Sequence, residues 1–152
     1  MKKKKHIRLF KPSVGNEEIH SIKKVFKKSW LGYGSNVREF ENKFSKFIGT
    51  KYAVGLNSCT AALHLALAVN KFKKKKKVLI PAMTFSATAA AILYNDLIPV
   101  FVDVNKDDLN ISFEDLKKKY TKDCVAVMAG QLGGNPCKMD KLVPWAIGGA
   151  RV

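Results

Sequence analysis

Three short segments hold the residue types that could do chemistry. The first is Asn57-Ser58-Cys59-Thr60-Ala61-Ala62, set just before an apolar helical run. Small residues let the backbone approach a ligand, and a new helix offers unpaired N–H groups at its positive dipole end. With the Ser58 and Thr60 hydroxyls as extra donors, the segment reads as a phosphate cradle. The competing reading is a plain helix cap, the common role of Ser and Thr at that position. The second segment is Pro81-Ala82-Met83-Thr84-Phe85-Ser86. Phe85 there either stacks on a flat ring beside the phosphate or belongs to the core. The third, Gly130-Gln131-Leu132-Gly133-Gly134-Asn135-Pro136, permits close backbone approach or is an ordinary loop. Asp103 either bonds a ligand or caps a turn.

Other reactive side chains carry less. His6, His20 and His64 have no sequence partner suggesting a triad or metal site. His64 lies in an apolar helical stretch and reads as packed. Cys59, Cys124 and Cys137 are odd in number and widely spaced, which excludes a disulfide framework and a C-x-x-C metal pair. Cys59 reads as a small filler at a helix start rather than a reactive thiol.

The elements that must position these segments follow from the pattern. Asn16 can cap a helix with Glu17 and Glu18 in its first turn, and Ile19, Ile22, Val25, Phe26 and Trp30 recur at helical spacing. After Gly32-Tyr33-Gly34 a second helix places Val37, Phe40, Phe44, Phe47 and Ile48 on one face, and Gly49 stops it. From Lys51 the rhythm turns to strand–helix alternation. Strands are expected at residues 52–56, 78–80, 98–102 and 125–128, the third apolar enough for burial on both faces. Thr84 or Ser86 can cap the helix after the second strand. Ser112 and Asp115 have capping-box spacing before another, and a last helix can begin at 139–145. Such alternation implies crossovers and a parallel sheet, whose ligands bind beyond the carboxyl ends of the strands. All three segments lie at such ends.

Length and composition fit one α/β domain. The chain has 152 residues, 47% hydrophobic, with no apolar run near the ~18–20 residues of a membrane helix. Residues 1–15 read as a basic tail without a signal-peptide pattern, so a cytoplasmic protein without membrane partner is expected. The net charge is +16, yet all but three of the 28 basic residues are lysine. Arginine's planar fork, which reads phosphates and base edges, is nearly missing, and no aromatic interrupts the lysines at 73–77. A solvated basic surface fits better than specific nucleic-acid binding.

The order of motifs carries a resemblance. Gly32-Tyr33-Gly34 with Phe40-Glu41, then residues 57–67, 80–88, 99–104 and 134–140, resemble the DegT/DnrJ/EryC1/StrS family of pyridoxal-phosphate-dependent aminotransferases acting on nucleotide-linked keto-sugars. The likeness runs from about residue 7 to 142. It implies the large α/β domain of fold type I, aspartate aminotransferase-like and incomplete. Its parts would be a helical entry segment at 16–49, a partial cofactor-binding domain at 50–142 and an atypical tail at 143–152. It implies that Ser58, Cys59, Thr60 and Ala61 hold the pyridoxal 5′-phosphate phosphate and that Phe85 stacks on the ring. Gly32, Tyr33 and Gly34 would lie near substrate. A homodimer, an amino donor such as glutamate and a role in surface-polysaccharide or related glycan synthesis are implied too.

The family's Schiff-base lysine and pyridinium-pairing acid come after the matched region, so no catalytic residue is assigned. Without them no turnover is expected, because exposed lysines near their normal pKa are poor nucleophiles. The chain is therefore read as the amino-terminal part of a sugar aminotransferase, with a truncation or frameshift near Leu142. The alternative is an inactive fragment or interaction module without cofactor chemistry.

Overall fold

A computed structural model describes residues 10–148. These residues divide into two compact units, with the boundary between Gly55 and Leu56.

The amino-terminal unit is helical. Helix α1 spans Asn16–Lys27, and its N-cap is Gly15, one residue before the expected Asn16. The cause is Glu18, whose carboxylate accepts the Gly15 N–H at 2.6 Å and leaves no capping work for Asn16. Helix α2, Ser35–Ile48, ends at Gly49 with φ 79°, a conformation glycine adopts without strain. Between them the Trp30 indole N–H donates to the Tyr33 carbonyl at 3.0 Å. The Trp30 ring lies so close over Gly34 that a Cβ there would sit 3.0 Å from it. Glycine at 34 is thus a matter of space.

The second unit is a three-layer α/β sandwich. Strands β1 (Lys77–Pro81), β2 (Ile98–Val102) and β3 (Cys124–Val127) form a parallel sheet in the order β2-β1-β3. Leu79 pairs with Val100 on one side and Val127 on the other. Alternation along central β1 sends Leu79 to one face, with Val102, Ile111, Leu116 and Leu142. Val78 and Ile80 face the other way, with Leu67, Ile92, Leu97 and Ala126. Helices α3 (Cys59–Ala68) and α4 (Ser86–Tyr94) thereby cover one face. Helices α5 (Phe113–Lys119) and α6 (Met139–Gly148) cover the other, with Trp145 set edge-on against Phe113 and Tyr120.

Three further expectations are corrected. Residues 52–56 are not a strand: they pair with none among the described residues, and Tyr52 and Val54 stay exposed. β-Propensity reports fit to a packed sheet surface, and this segment has no such surface. Strand β2 is an edge, with Ile98 and Phe101 exposed, so burial on both faces belongs to β1 instead. Neither Thr84 nor Ser86 caps α4. Phe85 occupies the N-cap position, and the Thr84 hydroxyl pairs with Thr88 Oγ1 at 2.9 Å. No described helix is long and apolar enough to cross a membrane.

Candidate functional site

The sheet order fixes where a ligand can sit. The chain leaves β1 for β2 on one side, then crosses to β3 on the other, so the connection reverses between β1 and β3. In open α/β sheets the crevice beyond the strand ends at such a reversal is the binding position. A cleft of about 410 Å³ lies there. Its walls are Cys59 and Thr60 from the start of α3, Thr84, Phe85 and Thr88 after β1, and Met128, Ala129 and Gly130 after β3.

Local chemistry prepares each wall. Ser58 caps α3, its hydroxyl accepting the Ala61 N–H at 3.2 Å. That bond makes Ser58 the cap of α3 and engages the Ala61 N–H. The N–H groups of Cys59 and Thr60 have no partner among the described residues, and they open at the positive end of a ten-residue helix. Phe85 is 77% exposed, so its ring is not core: it stands over the cleft as a free aromatic face. Of the residues expected to hold a cofactor, Cys59, Thr60 and Phe85 line one cleft; Ser58 and Ala61 are bonded to each other at the start of α3. Among the described residues no lysine and no carboxylate lines it.

A second cleft of about 200 Å³ shares Thr84, Phe85 and Gly130, and adds Met83, Leu109, Asn110 and residues 131–133. Sequence reasoning missed Asn110, which is 2% exposed. Its carboxamide accepts the Leu132 N–H at 3.1 Å and donates to the Asn135 carbonyl at 3.0 Å. No local signal marks an asparagine whose partners lie more than twenty residues away. The loop it holds needs glycine: Gly133 and Gly134 have φ 62° and 81°. Gln131 turns back to accept the Cys137 N–H at 2.6 Å.

Asp103 does turn work. Its carboxylate accepts the Val104 N–H, its carbonyl accepts the Ser112 N–H, and its own N–H goes to Asp115. His64 is half-buried, contacted by the Asn95 amide and the Tyr94 ring, while His6 lies outside the described residues. Cys124 and Cys137 are buried and free, Cys59 exposed and free, and no metal-holding group exists among the described residues.

Gly32, Tyr33 and Gly34 belong to the amino-terminal unit. There the Glu41 carboxylate accepts the Gly55 N–H and the Tyr33 hydroxyl, each at 2.7 Å. The Gly55 bond, with help from Tyr33, holds the Glu41 pKa below its ordinary value. The same carboxylate raises that of the Tyr33 phenol, since losing its proton would break the bond and oppose two negative charges.

The chain is similar to known proteins along nearly its whole length. The chain is 38% identical over 132 residues to spore coat polysaccharide biosynthesis protein SpsC of Bacillus subtilis, covering 87% of this chain and 34% of that protein. It is 32% identical over 143 residues to GDP-perosamine synthase of Escherichia coli O157:H7, covering 93% and 39%. The structure matches the E. coli GDP-4-keto-6-deoxy-D-mannose-3-dehydratase with bound hydrated PLP at TM-score 0.87 and 30% identity, covering 95% of this chain and 38% of that one. The chain thus spans somewhat more than a third of the length of these relatives. The model of the DegT/DnrJ/EryC1/StrS aminotransferase family matches residues 12–147, and the chain belongs to that family.

Proposed function

We propose that this chain supplies the phosphate-and-ring end of a pyridoxal 5′-phosphate site in a sugar-nucleotide aminotransferase. The carrying observation is the juxtaposition in one cleft of the unpartnered Thr60 N–H and the exposed Phe85 ring. A dianionic phosphate suits the helix start, where N–H groups and the dipole favour negative charge. A flat pyridine suits Phe85, and Ala87, Ala129 and Gly130 leave it room. Thr60 would bind the phosphate through its N–H and hydroxyl, Cys59 through its N–H; Ser58 would hold the turn that aims them. When bound, the cofactor supplies an electron sink for moving nitrogen between an amino donor and a keto group.

The substrates under this reading are a nucleotide-linked keto-sugar and an amino donor such as glutamate, with the product used in surface-polysaccharide or related glycan synthesis in the cytoplasm. Gly32, Tyr33 and Gly34 would contribute to substrate binding, and two copies would pair. A second reading, an interaction module without cofactor chemistry, draws on a cleft lined by no lysine or carboxylate among the described residues.

Calorimetric titration of the full chain with pyridoxamine phosphate separates the two. The amine form is used because an aldehyde would condense with the many exposed lysines. Saturable one-to-one binding that is lost in Thr60→Glu supports the first reading. Heat that never saturates supports the second.

A further inference from the structure

We propose that Asn110 is a positioning residue that sets the cleft wall facing the Phe85 ring; the inference rests on the cofactor reading above. The wall, residues 130–133, is a loop with little packing of its own. Leu132 is 38% exposed, and Gly133 and Gly134 sit at positive φ with open space around them. Among the described residues two side chains tie it down. One is Gln131, which accepts the Cys137 N–H and whose own amide reaches Cys137 Sγ and Met139 Sδ, anchoring its start. The other is Asn110, which fixes both ends of the turn by accepting from Leu132 and donating to Asn135.

Asn110 is itself fixed before it touches the loop. Its N–H donates to the Asp108 carboxylate and its carbonyl accepts the Asn105 N–H, each at 2.9 Å. Asp108 also accepts from the Asn105 amide, which closes a compact turn around the buried side chain. A carboxamide with one donor and one acceptor pointing the same way is what a loop N–H and a loop carbonyl require together. No other natural side chain of that length supplies both without a charge. Gly130, at the root of this loop, lines both clefts together with Phe85, whereas Thr60 lines only the first. Loosening the loop therefore acts on ring binding and spares phosphate binding.

The test is amide NMR on the full chain, titrated with pyridoxamine phosphate and separately with inorganic phosphate, for the wild type, Asn110→Ala and Asn110→Asp. The aspartate keeps the volume and the acceptor for Leu132, and so guards against an alanine variant that fails to fold. The expected result is a loss of about three- to tenfold in pyridoxamine phosphate affinity, the scale of one or two lost hydrogen bonds. Phosphate affinity read at Thr60 should stay within about twofold. Parallel loss of both ligands would show a general destabilisation and overturn the proposal, as would unchanged pyridoxamine phosphate affinity. If the wild type binds neither ligand, the cofactor reading fails and hydrogen exchange at the Leu132 amide decides the role of Asn110. Faster exchange in the variants than in wild type then supports it, and equal protection overturns it.

Discussion

The Asp115 carboxylate accepts the backbone N–H of Asp103 at 2.7 Å and so ties the first turn of α5 to the residue that follows β2. Asp115 is also the third residue of that helix, the place from which a capping box would return a bond to Ser112. Ser112 does accept the Asp115 N–H, at 3.3 Å, but the return bond goes to the strand end instead. Lys119 completes the arrangement, bonding Asp115 at 2.9 Å and the Phe101 carbonyl at 2.8 Å.

Acid should weaken this tie. The Asp103 N–H, followed by Lys119, holds the Asp115 pKa below its ordinary value of 3.8. A carboxylate depressed in the folded state contributes stability that is present above the unfolded pKa and is lost as pH falls through the folded one. Asp115→Asn is expected to lower stability at neutral pH by about 1 kcal/mol. It should also flatten the fall in stability below about pH 4, the unfolded range for aspartate. Urea unfolding at stepped pH measures both; a variant with the wild-type acid slope would contradict the assignment.

Tyr33 should resist ionisation because of Glu41. Glu41→Gln removes the negative charge that opposes the phenolate, so the Tyr33 pKa should fall toward its ordinary value. Ring signals of labelled tyrosine, followed through alkaline pH, report this directly. Tyr33 titrating identically in both proteins would mean the 2.7 Å contact does not persist in solution.

Leu79 and Phe85 should separate stability from binding. Leu79 is fully buried at the centre of the sheet, so Leu79→Ala should cost about 2–5 kcal/mol through lost burial and the cavity left behind. Phe85 is largely exposed, so Phe85→Ala should shift stability by less than about 0.5 kcal/mol while weakening pyridoxamine phosphate binding. Urea unfolding and calorimetry on the two variants check the contrast. A strongly destabilised Phe85→Ala would return Phe85 to a structural role.

What the sequence showed depended on how local the cause was. Gly49 as a helix stop and Ser112 as the cap of α5 rest on contacts within three or four residues, and the structure has them. The destination of the Asp115 carboxylate was not legible, because Asp103 is twelve residues away and reaches it only through the return of the chain from β2. Residues 52–56 have strand composition, yet a strand exists only against a neighbour. For Phe85 the sequence left stacking and core open, and its exposure excludes only the core. Asn110 gave no signal at all, since its role is defined by a loop more than twenty residues further on.

The most direct test of the account is the amide spectrum of the full chain titrated with pyridoxamine phosphate. The account predicts saturable shifts at Cys59 and Thr60, at Phe85 and its neighbours, and at Gly130, with Ala61 moving less because its N–H is already bonded to Ser58. Shifts scattered over the lysine-rich surface with none at Thr60 and Phe85 would contradict it.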